Sequence, residues 1–165
     1  MSDIKIIVEN FDRGVVPADF DLLCLEKGDD LNKIYYHSLV TVELTGNYKV
    51  KIRFDWKGDE KIKNSDFVYI QESSTLFFRS QNQWGAIDLR LKKLNRHERS
   101  HWTPTVTRKG DFVLIEDDLM AESTQLNADK IHSVPIDPPT EATEFEDRIE
   151  YNSPVYGRQV LRTKS

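Results

Sequence analysis

The stretch that decides the fold is Tyr48-Lys49-Val50-Lys51-Ile52-Arg53-Phe54-Asp55-Trp56. Tyr48, Val50, Ile52, Phe54 and Trp56 alternate with Lys49, Lys51, Arg53 and Asp55. A period of two puts the first set on one face of a β-strand and the second on the other, one face in a core and one in water. Upstream, Val40, Val42 and Leu44 alternate with Thr41 and Glu43, and Thr45-Gly46-Asn47 between the two runs offers residues that tolerate positive φ. Residues 39–56 therefore read as a β-hairpin.

The same rule extends outward. Ile4, Ile6 and Val8 alternate with Lys5 and Ile7, and Ile87, Leu89 and Leu91 with Asp88, Arg90 and Lys92. Phe67–Ile70, Leu76–Arg79 and Phe112–Ile115 are short apolar runs bounded by polar turns. Residues 19–26 fit a strand or a short helix opened by Pro17, and one modest helix is expected over Asp118–Ile131. Many short strands without a strand–helix–strand rhythm predict a mainly β chain: an antiparallel β-sandwich or barrel-like domain with little helix over residues 1–132. No internal repeat is evident.

Residues 133–165 differ in composition. They carry Pro135, Pro138, Pro139 and Pro154 among many acids. Proline fixes φ and withdraws a backbone donor, so this segment reads as an extended C-terminal arm, with Val155–Leu161 as a short β-prone end.

Charge is unevenly spread. Residues 46–109 carry 14 basic and 7 acidic groups, whereas residues 110–150 carry 2 basic and 12 acidic. Either the acids cover the basic sheet of their own chain, or they meet the basic face of a neighbour. The second arrangement is heterologous and closes into rings or propagates as tubes. Its contact residues would be Lys49, Lys51 and Arg53 on one side, and Glu144, Glu146, Asp147, Val155, Val160 and Leu161 on the other.

One string matches a catalytic motif. His97-Glu98-Arg99-Ser100-His101 fits H-E-x-x-H, which on a helix places two imidazoles to grip zinc, with Glu98 as general base. The context opposes a helix: a strand period precedes the motif and Pro104 follows it. Arg96 and Arg99 beside the ligands also disfavour a cation. No phosphate-binding glycine loop or G-x-S-x-G occurs. Asp55, Asp59 and Glu60 lack calcium-loop spacing. The acidic total and the absence of interleaved aromatics argue against nucleic acid. Trp84 and Trp102 are candidates for a ligand platform.

The start alternates polar and apolar residues and shows no signal-peptide or membrane-spanning run, and the lone Cys24 sits in an apolar stretch. Cytoplasmic synthesis is expected, followed by association with a particle. The leading expectation is a structural assembly subunit, most concretely of a phage or virus particle. It would need no cofactor, and its partners would be copies of itself or other subunits. The alternatives are a carbohydrate- or protein-binding β-sandwich module and, last, a zinc hydrolase.

Overall fold

The computed structural model describes residues 4–27, 36–58 and 61–165. In chain order the strands are β1 (Lys5–Phe11), β2 (Leu22–Leu25), β3 (Tyr36–Glu43), β4 (Lys49–Trp56), β5 (Phe67–Ile70), β6 (Thr75–Ser80), β7 (Gln83–Asp88), β8 (Lys93–Arg99), β9 (Thr105–Lys109), β10 (Phe112–Glu116), β11 (Met120–Gln125), β12 (Lys130–Pro135), β13 (Glu141–Glu144), β14 (Arg148–Ser153) and β15 (Gly157–Arg162). They form four sheets. The first has the order β1-β3-β4-β2, with β2 parallel to β4. The second (β5-β6-β7-β8), third (β12-β11-β10-β9) and fourth (β13-β14-β15) are antiparallel meanders.

The deciding hairpin is β3–β4. Val40 lies opposite Ile52 and Val42 opposite Val50, so the alternating apolar sets of both strands fall on one face. That face is the core: Val50 and Ile52 are 0% exposed and Phe54 1%. The three-residue connection at Thr45–Asn47 is a short 3-10 turn with Gly46 at φ 78° and Asn47 at φ 63°.

Three apolar clusters join the sheets in sequence. Val50, Ile52, Phe54 and Trp56 meet Phe67, Leu76 and Phe78 between the first and second sheets. Ile70, Phe77 and Trp84 meet Val113 and Ile115 between the second and third. Leu114, Ala121 and Val134 meet Ile149, Tyr151 and Leu161 between the third and fourth. In the first junction Phe54 packs edge-on to Phe78, their centroids 5.1 Å apart. The Phe78 ring also lies across Gly85, where a Cβ would come within 2.4 Å of it, so the close approach of β6 and β7 needs a glycine there.

The middle sheets are buried on both faces, and this accounts for their sequences. In β6, Leu76 and Phe78 face the first sheet while Phe77 faces the third; in β10, Val113 and Ile115 face the second while Leu114 faces the fourth. A strand covered on both sides reads as a continuous apolar run, whereas β4 of the outermost first sheet alternates from Lys49 to Phe54.

Four expectations need correction. Residues 118–131 hold no helix: they form the β11–β12 hairpin. The Asp117 carboxylate accepts the N–H groups of Leu119 and Met120 at 2.8 Å, and Ala128 at φ 75° turns the chain, so side-chain-to-backbone bonds win over helix. The strand around Ile87–Leu91 ends at Asp88, whose carboxylate takes the Arg90 and Leu91 N–H groups at 2.9 and 3.0 Å and leaves Leu91 exposed in a turn. No sheet closes into a barrel among the described residues. Finally, residues 133–165 are no extended arm. They complete β12 and form the fourth sheet, with Pro135 ending an outer strand and Pro138, Pro139 and Pro154 in the connections.

Candidate functional site

The H-E-x-x-H string lies on β8 and the bend after it. Extended chain carries residues i and i+4 about 13 Å apart, so the spacing that would bring two ligands together on one helix face holds them too far apart here. His97 turns toward the first sheet. Its Nε2 donates to Gln83 Oε1 at 2.6 Å, and Phe78 stands edge-on to the ring at 5.7 Å. Burial, then the Lys27 ammonium, hold the imidazole below its ordinary pKa. Glu98 turns the other way, 3.2 Å from Arg96. His101 sits exposed beyond the strand, its N–H donating to Asp117 Oδ2 at 3.2 Å. Among the described residues no group of three His, Cys, Asp or Glu side chains converges as a metal would require. The zinc-hydrolase reading of His97, Glu98 and His101 is therefore corrected: the helix that gives the motif its meaning is a strand.

His101 and Glu98 instead line a cleft of about 290 Å³ between the second and third sheets. Its floor is Trp84, which is 4% exposed: it belongs to the apolar cluster with Phe77, Val113 and Ile115, and the Arg96 guanidinium lies over the indole at 4.7 Å. Arg96 is held in turn by Glu122 at 2.5 Å and by Glu98. Lys130 completes the network, 3.6 Å from Glu122. Trp84 is thus no open platform, and the charges of this cleft already satisfy one another. Trp102 is 61% exposed, on the bend after β8.

The basic face of β4 is met within its own chain. Lys49 pairs with Glu43 at 2.6 Å, and Lys51 pairs with Asp19. Arg53 binds both oxygens of Asp55 at 2.8 and 2.7 Å, donates to the Pro17 carbonyl at 3.1 Å, and lies 5.2 Å over Phe20. Residues 12–21 lead from β1 across this face to β2, which explains the cis neutralisation. The covering acids are those of the N-terminal third, not those of residues 133–150. Asp55, expected on the wet face, is 3% exposed and hydrogen-bonded to His37 Nδ1 at 2.6 Å. As a calcium ligand it is already engaged, and Asp59 and Glu60 lie outside the described residues.

The C-terminal contact residues divide. Leu161 is 0% exposed, in the core between the third and fourth sheets, so it is no surface contact; Val160 is half-buried. Glu144 pairs with Lys109 at 2.5 Å, Glu146 with Lys164 at 3.3 Å and Asp147 with Arg148 at 3.0 Å. Glu150, missed in the sequence, is gripped by Arg158 and Arg148 at 2.6 and 2.8 Å, which holds its carboxyl at about 2. At the β14–β15 turn, Val155 is 66% and Tyr156 45% exposed. Phe145, in the β13–β14 turn, is also exposed, with Arg148 stacked on it at 4.3 Å.

A second opening, of about 370 Å³, lies between the third and fourth sheets. Its lining includes Glu116, Asp117, Asp118, Thr105, Thr140 and Ala142, and no lysine or arginine. The Tyr151 hydroxyl donates to Glu116 Oε1 at 2.6 Å; burial, then this carboxylate, push the phenol pKa up. The opening exists because the face of β13 carrying Ala142 extends past the cover of the third sheet: all four β13 residues are exposed. Composition marked this region as acidic, but nothing in the sequence gives the strand pairing that builds the opening.

Among the described residues no helix is long and apolar enough to cross a membrane. No protein-family model matches the chain, and no curated protein matches it.

Proposed function

We propose that this chain is a non-enzymatic assembly subunit that contacts other proteins through its C-terminal sheet. The observation that carries the reading is the β14–β15 turn. The fourth sheet is anchored on its inner face by Ile149, Tyr151 and Leu161, yet it projects Val155 and Tyr156 into water at 66% and 45% exposure. Exposed apolar side chains on a rigid turn are the kind of anchor that fills a partner's pocket. Neither opening described above brings together a nucleophile, a base and an oxyanion donor. A structural subunit of a phage or virus particle is the most concrete form of this proposal.

The test is solution mass. Light scattering on the intact chain should give a multiple of 19.3 kDa, or a stable complex with a partner from its source. Val155→Asp combined with Tyr156→Asp should return the 19.3 kDa monomer with unchanged melting. Identical monomers for both proteins at low and high salt, with no partner recovered, would defeat the proposal.

A further inference from the structure

The geometry points to a docking edge: we propose that β13 receives an extended, lysine- or arginine-bearing segment of a partner protein as a fourth strand of the C-terminal sheet. The inference rests on the assembly reading above and names the partner's chemistry.

The backbone carries it. The β13–β14 hairpin closes with Phe145 N–H donating to the Arg148 carbonyl at 2.8 Å. Phe145 and Arg148 are thus a hydrogen-bonded pair, and by antiparallel alternation Thr143–Glu150 is the next. Glu144–Ile149 and Ala142–Tyr151 are the non-bonded pairs, so the N–H and C=O groups of Ala142 and Glu144 point away from β14. Beyond them no strand pairs with β13 among the described residues. Such an edge is a template for strand addition.

Charge selects the occupant. A residue placed opposite Ala142 on an added strand would share its face and enter the opening lined by Glu116, Asp117 and Asp118. Glu116 is engaged by Tyr151 and Asp117 by backbone N–H groups, whereas the Asp118 and Glu141 carboxylates have no ion-pair partner among the described residues. With no cation in the lining, a long basic side chain is complementary and an acidic one is repelled. The small Ala142 leaves the space for it.

The experiment uses the full chain and a fluorescein-labelled, end-capped octapeptide that alternates lysine with valine and threonine, read by fluorescence anisotropy. Binding is expected. It should weaken about tenfold or more when glutamate replaces lysine in the peptide, when alternate peptide amides are N-methylated, and in the Ala142→Pro protein. Ala142→Pro removes an outward donor and spares the bonds to β14. If that variant misfolds by circular dichroism, the N-methylated peptide on the unaltered chain supplies the same test. Asp118→Asn should weaken binding without altering melting. Binding indifferent to N-methylation and to Ala142→Pro would mean charge attraction alone and would overturn the docking edge. So would no binding at all, an outcome that leaves the Val155/Tyr156 mass test untouched. Self-association abolished by Ala142→Pro would place a second copy of this chain on the edge and overturn the partner's identity.

Discussion

Among the described residues a single carboxylate, that of Asp55, is buried. Asp55 sits on the outer face of the first sheet, yet it is buried with Arg53 on both carboxylate oxygens and His37 on one. Removing one partner of a buried ion pair strands the other, at a cost of about 3–5 kcal/mol. Arg53→Ala should lower stability by that order, read by urea unfolding, whereas Lys51→Ala, which loses an exposed pair with Asp19, should cost about 1 kcal/mol or less. Equal losses would show that the Asp55 cluster contributes nothing special. Nothing in alternation signals this cluster, because the period of two assigns Asp55 to water. Its burial depends on residues 12–21 crossing the sheet, a tertiary event. His97 yields a second residue-level prediction. Burial and Lys27 hold its pKa below the ordinary value near 6.5, so the unfolded chain binds its proton more readily than the folded one. Its contribution is therefore full above about pH 6.5 and falls as pH drops below that value. His97→Leu should flatten the stability profile between about pH 7 and pH 5 relative to the unaltered chain. An unchanged slope there would remove His97 as its source.

At the scale of elements, the period of two was legible where one face is wet and obscure where both faces are covered. The β3–β4 hairpin could be placed from Val40, Val42 and the YKVKIRFDW run because the first sheet is outermost. In β6 and β10 the runs Leu76-Phe77-Phe78 and Val113-Leu114-Ile115 announced strands but not that neighbouring residues serve different junctions. The H-E-x-x-H spacing was readable as a string, and the strand context upstream already argued against a helix. The acidic opening depends on how far β13 reaches beyond the third sheet, which no local pattern encodes. Two predictions belong here. Phe54→Asp removes a core aromatic and buries a charge, and should cost several kcal/mol, on the order of 3–5 or more. Leu114→Ala empties the third junction alone and should cost about 2–5 kcal/mol. Hydrogen exchange should then speed up in β13–β15 while β3, β4 and β6 stay protected, because stability is distributed junction by junction. Uniform acceleration across all four sheets would mean that they open as one unit.

Over the whole molecule, each sheet is held chiefly by the one before and the one after it, an arrangement akin to a solenoid, in which an end unit covers the face beneath it. The fourth sheet is that end unit. This changes what removal of the C-terminal segment would do. An extended arm can be cut away without harm to the body. Here, ending the chain after Asp137 removes Ile149, Tyr151 and Leu161 and uncovers Leu114, Ala121, Val134 and Ile136 on the face of the third sheet. A contiguous apolar face of that kind promotes aggregation. The truncated chain should melt at a lower temperature and show large, salt-insensitive aggregates by light scattering, since exposed apolar surface is not screened by ions. The paired Val155→Asp and Tyr156→Asp change at the turn should do the opposite: melting should stay the same and only the solution mass should fall. A truncated chain that stays monomeric with unchanged melting would mean that the fourth sheet is not part of the folded body. Residues 133–165 would then have to be treated as an appended arm after all.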